Sequence, residues 1–132
     1  MNIYLDIDGV LVGRGRVPAL HLKEFLTACL NHSPTYWLTT HCKGDADTAV
    51  LYLEQILDKE TLELTKKIKP TDWSHSKTEG IDFSVPFIWF DDYVFEFEKE
   101  QLRKKHCFGS WIQIDLVNNQ NSLKDQLVLL RS

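Results

Sequence analysis

Three apolar runs of this 132-residue chain end in the same manner, and that repetition constrains the fold more than any overall property does. Ile3-Tyr4-Leu5-Asp6-Ile7-Asp8-Gly9-Val10 passes from strand-forming residues into two carboxylates and a glycine. Thr35-Tyr36-Trp37-Leu38-Thr39-Thr40 closes in two threonines, and Val85-Pro86-Phe87-Ile88-Trp89-Phe90 runs into Asp91-Asp92. Short apolar runs bounded by polar residues suit strands buried on both faces. Between them, Leu22, Phe25, Leu26, Cys29 and Leu30, and then Ala46, Ala49, Val50, Leu53 and Leu57, recur at helical spacing. Strands separated by helices imply a mostly parallel sheet covered on both faces, with ligands outside the carboxyl ends of its strands. All three polar run-ends then converge on one edge, where random placement would scatter acids between both.

The remaining elements complete an α/β chain. Pro18 suits the first turn of the first helix, and Gly44 with Asp45 starts the second. From Glu60 to Lys69, Leu62 and Leu64 alternate like a strand while Leu64 and Ile68 fit a helix; the expectation is a short third strand. Ser76 and Glu79 have capping-box spacing for a short helix at Lys77, which Gly80 limits. Tyr93, Phe95 and Phe97 alternate before a charged helical stretch from Glu98 to Lys105. Trp111-Ile112-Gln113-Ile114 reads as a fifth strand, and Ser122 as the cap of a last helix burying Leu123, Leu127 and Leu130. The expected architecture is a three-layer α/β/α, Rossmann-like parallel sheet of about five strands, a single domain over residues 1–132.

Composition excludes several classes. Apolar content of 43% with 26% charged residues describes a folded globular protein, not a disordered one. A net charge of -4 argues against affinity won by blanketing a nucleic-acid backbone. Cys29, Cys42 and Cys107 form no CxxC pair and leave an odd one over, which favours a reducing compartment. Asp6 and Asp8 interrupt the place of a signal-peptide core, and no apolar run reaches membrane length; the expected location is cytoplasmic.

Side chains two apart on a strand point the same way, so Asp6 and Asp8 face one pocket if the strand persists. Two such anions need a cation between them or a retained proton. Gly9 lets the chain turn where a side chain would block that pocket. Gly13-Arg14-Gly15-Arg16 is a basic tip that either folds back over the acids or stays a solvated loop; neither GxGxxG nor GxxxxGK[ST] is present. His41-Cys42 follows a strand and His106-Cys107 precedes one, which sets the pairs at opposite sheet edges and rules against a shared zinc site. His41 stays near the pocket, in contact with substrate or as a structural group. Trp37, Trp89 and Trp111 belong to the core, whereas Trp73, in the loop before Lys77, is either a platform for a ring or simple packing.

An Asp-x-Asp-Gly-Val after the first strand, a Thr ending the second, a downstream Lys and an Asp-Asp after the fourth together resemble the haloacid dehalogenase superfamily of phosphatases, over essentially the whole chain. Among its members the likeness is greatest to small domains with Trp-Leu-Thr-Thr and Trp-Phe-Asp-Asp-type strand ends, some of which occur in RNA-repair proteins. The resemblance implies Asp6 as the nucleophile that forms an aspartyl phosphate and Asp8 as general acid and base. Thr39, with Thr40 as the alternative, would bind phosphoryl oxygens, and Lys77 would stabilise their charge and that of the nucleophile. Asp6, the Asp8 carbonyl, Asp91 and Asp92 would hold a metal, for which Mg2+ suits a set of hard oxygens. Glu96 is the nearest candidate for a further acid. No interval is long enough for a full cap domain, and an open mouth suits a large or extended phosphorylated substrate such as a nucleic-acid end or a phosphoprotein. The alternative is a non-catalytic domain of the same type, binding or regulatory, that keeps the metal.

Overall fold

In the computed structural model, which describes residues 1–131, four strands form one all-parallel sheet in the order β2-β1-β3-β4. β1 (Asn2–Leu5) lies between β2 (Thr35–Trp37) and β3 (Phe87–Asp91), and β4 (Trp111–Gln113) forms the edge beyond β3. Alternate residues of the central strands feed two cores. Ile3, Leu5, Ile88 and Phe90 join the larger one, with Leu22, Phe25 and Leu26 of α1 (Leu22–His32), Leu53 of α2 (Ala46–Glu54), Leu123 of α5 (Ser122–Asp125), and Leu127 of α6 (Leu127–Arg131). Tyr4, Phe87 and Trp89 point to the smaller one, closed by Ile81, Val94 and Leu102 of α4 (Glu96–Lys104). Both sheet faces are thus covered, and the layout is Rossmann-like. Among the described residues no helix is long and apolar enough to cross a membrane.

The expected strand between Glu60 and Lys69 is instead α3 (Lys59–Thr65), which reduces the sheet from the expected five strands to four. Asp58 decides the matter locally, because its carboxylate accepts the Thr61 amide at 2.8 Å and caps the helix. Thr61 and Thr65, four apart, are the buried pair, so the inward period is helical and the Leu62/Leu64 alternation was misleading. Only Lys69 joins the sheet, exchanging backbone bonds with Thr35 and Trp37 at 3.0 and 2.8 Å.

Three boundaries also differ from expectation. α1 starts at Leu22 after His21, which takes φ 64°, while Pro18 bridges back to Val12 in a flap. Ser122 is the first residue of its helix, not its cap, since its hydroxyl is taken by the Asn119 carbonyl at 2.6 Å. α4 starts at Glu96, before the expected Glu98, so Phe97 lies within it; Tyr93, Phe95 and Phe97 are all exposed while Val94 is buried. Replacing Asp58 by Ala is expected to cost ~1 kcal/mol of stability in urea unfolding, the usual loss for an N-cap; a strand at this position would show no such loss.

Candidate functional site

Strand register builds the site. Leu5 pairs with Phe90, so the next residues, Asp6 and Asp91, stand side by side, joined by the Asp6 amide donating to the Phe90 carbonyl at 3.1 Å. Residues two apart share a face, and Tyr4 and Trp89 lie in the smaller core; Asp6 and Asp91 therefore point to that side. Over it sits a 3-10 turn, Lys77–Gly80. The expected capping box holds this turn, with Ser76 Oγ accepting the Thr78 amide at 3.2 Å and the Glu79 carboxylate accepting the Ser76 amide at 2.9 Å. Buried Glu98 of α4 anchors it from behind, accepting the Lys77 amide at 2.8 Å and the Phe95 amide at 3.1 Å. So placed, the Lys77 ammonium lies 2.7 Å from Asp91 Oδ2 and 3.4 Å from Asp6 Oδ1.

Asp92 completes the cluster. Asp6, Asp91 and Asp92 each offer a carboxylate oxygen, all within 4.8 Å of one another. Gly9 makes this possible: its φ is +85°, and a Cβ there would lie 2.3 Å from Asp92 Oδ2. Burial raises Asp6 above the usual carboxylate range despite the pull of Lys77. Burial and the charge of Asp6 push Asp91 up to about 8. Burial works against the Lys77 charge too, but Asp6 and Asp91 together carry it above its ordinary value. One ammonium thus serves two buried carboxylates while a third, Asp92, stands beside them nearer the solvent, and the excess negative charge is the conflict a divalent cation would remove. The donors are all hard oxygens, which fits magnesium and not a site for softer ions. The loop after Asp8 also suits it, since the Gly9 amide bonds to Val12 and the Val12 amide to Ile7, and neither bond uses the Asp8 carbonyl.

The Asp8 carboxylate is not part of that trio. It is exposed and held by His41 Nε2 and by the Tyr52 hydroxyl, each at 2.8 Å. The two rings stack with centroids 3.9 Å apart, and the Arg16 guanidinium lies 5.6 Å from the Tyr52 ring. Burial, then the bond to Asp8, raises the Tyr52 phenol. The basic tip thus folds back beside the acids: Gly13 and Val17 close it at 2.8 Å, leaving Arg14–Arg16 exposed at its turn. Thr39 is buried at the same sheet edge, its hydroxyl accepting the His41 amide at 3.3 Å, whereas Thr40 is exposed. Trp73 packs against the smaller core and carries the Lys43 ammonium 4.3 Å from its ring.

Asp6, Lys77, Asp91 and Asp92 therefore meet, with Asp8, His41, Thr39 and the arginine flap adjoining them. Sequence reasoning missed Tyr52 and Glu98. Tyr52 falls three residues after core Ala49, a signal that it borders the buried stripe; Glu98 falls three after Phe95, the spacing of an acid that reaches back to a helix start.

An acid raised on folding binds more protons in the native state, so its effect on stability is negative wherever it must ionise. Without divalent cations, stability is expected to fall as pH rises from about 4 to about 8, the interval between the ordinary and the folded value of Asp91. Thermal melting in chelator should show this fall, and Asp91→Asn should flatten it; a wild-type curve no steeper than the variant's would contradict the charge conflict. Gly9→Ala is expected to displace Asp92 and weaken Mg2+ binding, read by calorimetry, by about tenfold or more. No family model, curated protein or solved structure matches this chain.

Proposed function

We propose that the protein is a magnesium-dependent phosphomonoester hydrolase of the haloacid dehalogenase type, working through an aspartyl phosphate on Asp6. What supports this most is Lys77: a half-buried ammonium shared between Asp6 and Asp91, with Asp92 within reach of both acids. A structural ion pair needs two partners, and a further carboxylate beside the buried pair only adds repulsion unless cation and phosphoryl charge arrive together.

In the first step an Asp6 oxygen attacks phosphorus, the bond from phosphorus to the leaving oxygen breaks, and Asp8 supplies the proton that oxygen takes. In the second, water attacks the aspartyl phosphate, Asp8 takes the water's proton, and inorganic phosphate leaves with Asp6 restored. Lys77 and the Thr39 hydroxyl bind phosphoryl oxygens throughout. His41 and Tyr52 fix where the Asp8 carboxyl stands, through their two 2.8 Å bonds. A magnesium ion held by Asp6, Asp91, Asp92 and the Asp8 carbonyl would neutralise charge on the phosphoryl group. The sheet edge has no covering domain among the described residues, which suits a phosphate carried on a bulky group.

The test is release of inorganic phosphate from an aryl phosphate. The expected result is magnesium-dependent turnover, lost in chelator, lowered at least about a thousandfold by Asp6→Asn and roughly a hundredfold or more by Lys77→Met. Cation binding without release from any phosphoester would replace the hydrolase with a cation-binding domain.

A further inference from the structure

Resting on the hydrolase reading, we propose that the groove beside the acids receives the nucleoside part of a phosphorylated nucleoside, either free or at the end of a strand. The groove, about 730 Å³, begins at Asp8 and Asp92, where the leaving oxygen would take its proton, and runs between the flap and the loop after β4. That volume lies in the range of small-molecule sites. Two of its polar groups are uncommitted: the Arg14 guanidinium and the Gln120 amide have no hydrogen-bond or ion-pair partner among the described residues. Gln113, beside them, uses one amide hydrogen on the Asp92 carbonyl at 3.2 Å. Apolar surface from Leu116 and from Val117, which is 62% exposed, lines the same space.

A base is the leaving-group part these features match. Carboxamides read the in-plane donors and acceptors of a base edge, a planar guanidinium stacks on its face, and the apolar wall takes the other face. A second phosphate matches poorly. Only one cation lines the groove, and Asp115, held below the usual carboxylate range by its hydrogen bonds from Asn118, adds a fixed negative charge. A simple sugar would leave the apolar wall bare. A larger hollow of about 910 Å³, lined by Lys23, Glu24, His32 and Leu130, includes none of the acids and takes no part in this.

Equilibrium binding to the magnesium-loaded Asp6→Asn protein tests the proposal without requiring turnover, and a non-hydrolysable nucleoside phosphonate repeats it on the wild type. The probes are adenosine 5′-monophosphate, a 5′-phosphorylated oligoadenylate, ribose 5-phosphate and a phosphoserine peptide. Adenosine monophosphate is expected to bind at least about tenfold more tightly than ribose 5-phosphate, with Gln120→Ala and Arg14→Ala each removing most of that ratio and Lys66→Ala preserving it. Relative affinity of the mononucleotide and the oligonucleotide then tells which source the groove serves. Equal binding of nucleotide and sugar phosphate, tighter binding of the peptide, no nucleotide binding, or a ratio unmoved by both groove substitutions would overturn it. Absence of phosphate release from aryl phosphate by the wild type would instead overturn the hydrolase reading, so the two failures are separable.

Discussion

The sharing of one ammonium between two buried carboxylates is the interaction on which the arrangement depends. Lys77 contacts Asp91 at 2.7 Å and Asp6 at 3.4 Å, and each acid would be costly to bury ionised without it. The cluster still carries more negative charge than Lys77 balances, since Asp92 lies within reach of both acids. Protons or a cation must make up the difference, and burial together with the charge of Asp6 pushes Asp91 toward its protonated form when only protons are at hand. Few structural ion pairs are built with such a deficit. On the proposed hydrolase reading, a bound cation would fill that deficit.

Placement of these groups follows from register rather than from loop chemistry. Two parallel pairings, Leu5 with Phe90 and Leu5 with Trp37, set the ends of three strands level. The period-two alternation of the strands then turns Asp6 and Asp91 to the thinner side of the molecule. There a single 3-10 turn, fastened by Glu98 from α4, is thin enough to deliver a lysine to the strand ends. On the thicker side, the helices supply Tyr52, which with His41 holds Asp8 apart from the buried trio. The two acids of the Asp-x-Asp stretch thus occupy unlike surroundings, one buried and one exposed, as the proposed division into a nucleophile and a proton carrier would require.

Much of this was legible in the chain because strand ends announce themselves: an apolar run stopping at Asp or Thr marks both a strand and the edge it points to. The Ser76-Glu79 spacing likewise announced the turn that carries Lys77, and the helical stripe around Phe25 announced α1. Legibility failed where two periods fit the same residues. Leu62 and Leu64 alternate, but the buried residues are the threonines at 61 and 65, so polar side chains carried the true period. It failed again for groups whose role depends on distant partners. Nothing near Tyr52 in sequence names Asp8, 44 residues away, and nothing near Gln120 names the flap that faces it across the groove.

Calorimetric titration of the metal-free protein with Mg2+ at pH 7, run in buffers of different ionisation enthalpy, tests the central charge balance most directly. Because burial and the charge of Asp6 push Asp91 up to about 8 in the absence of cation, binding of one Mg2+ is expected to release protons, and Asp91→Asn is expected to abolish most of that release. Binding with no buffer dependence, or no binding at all, would contradict the account.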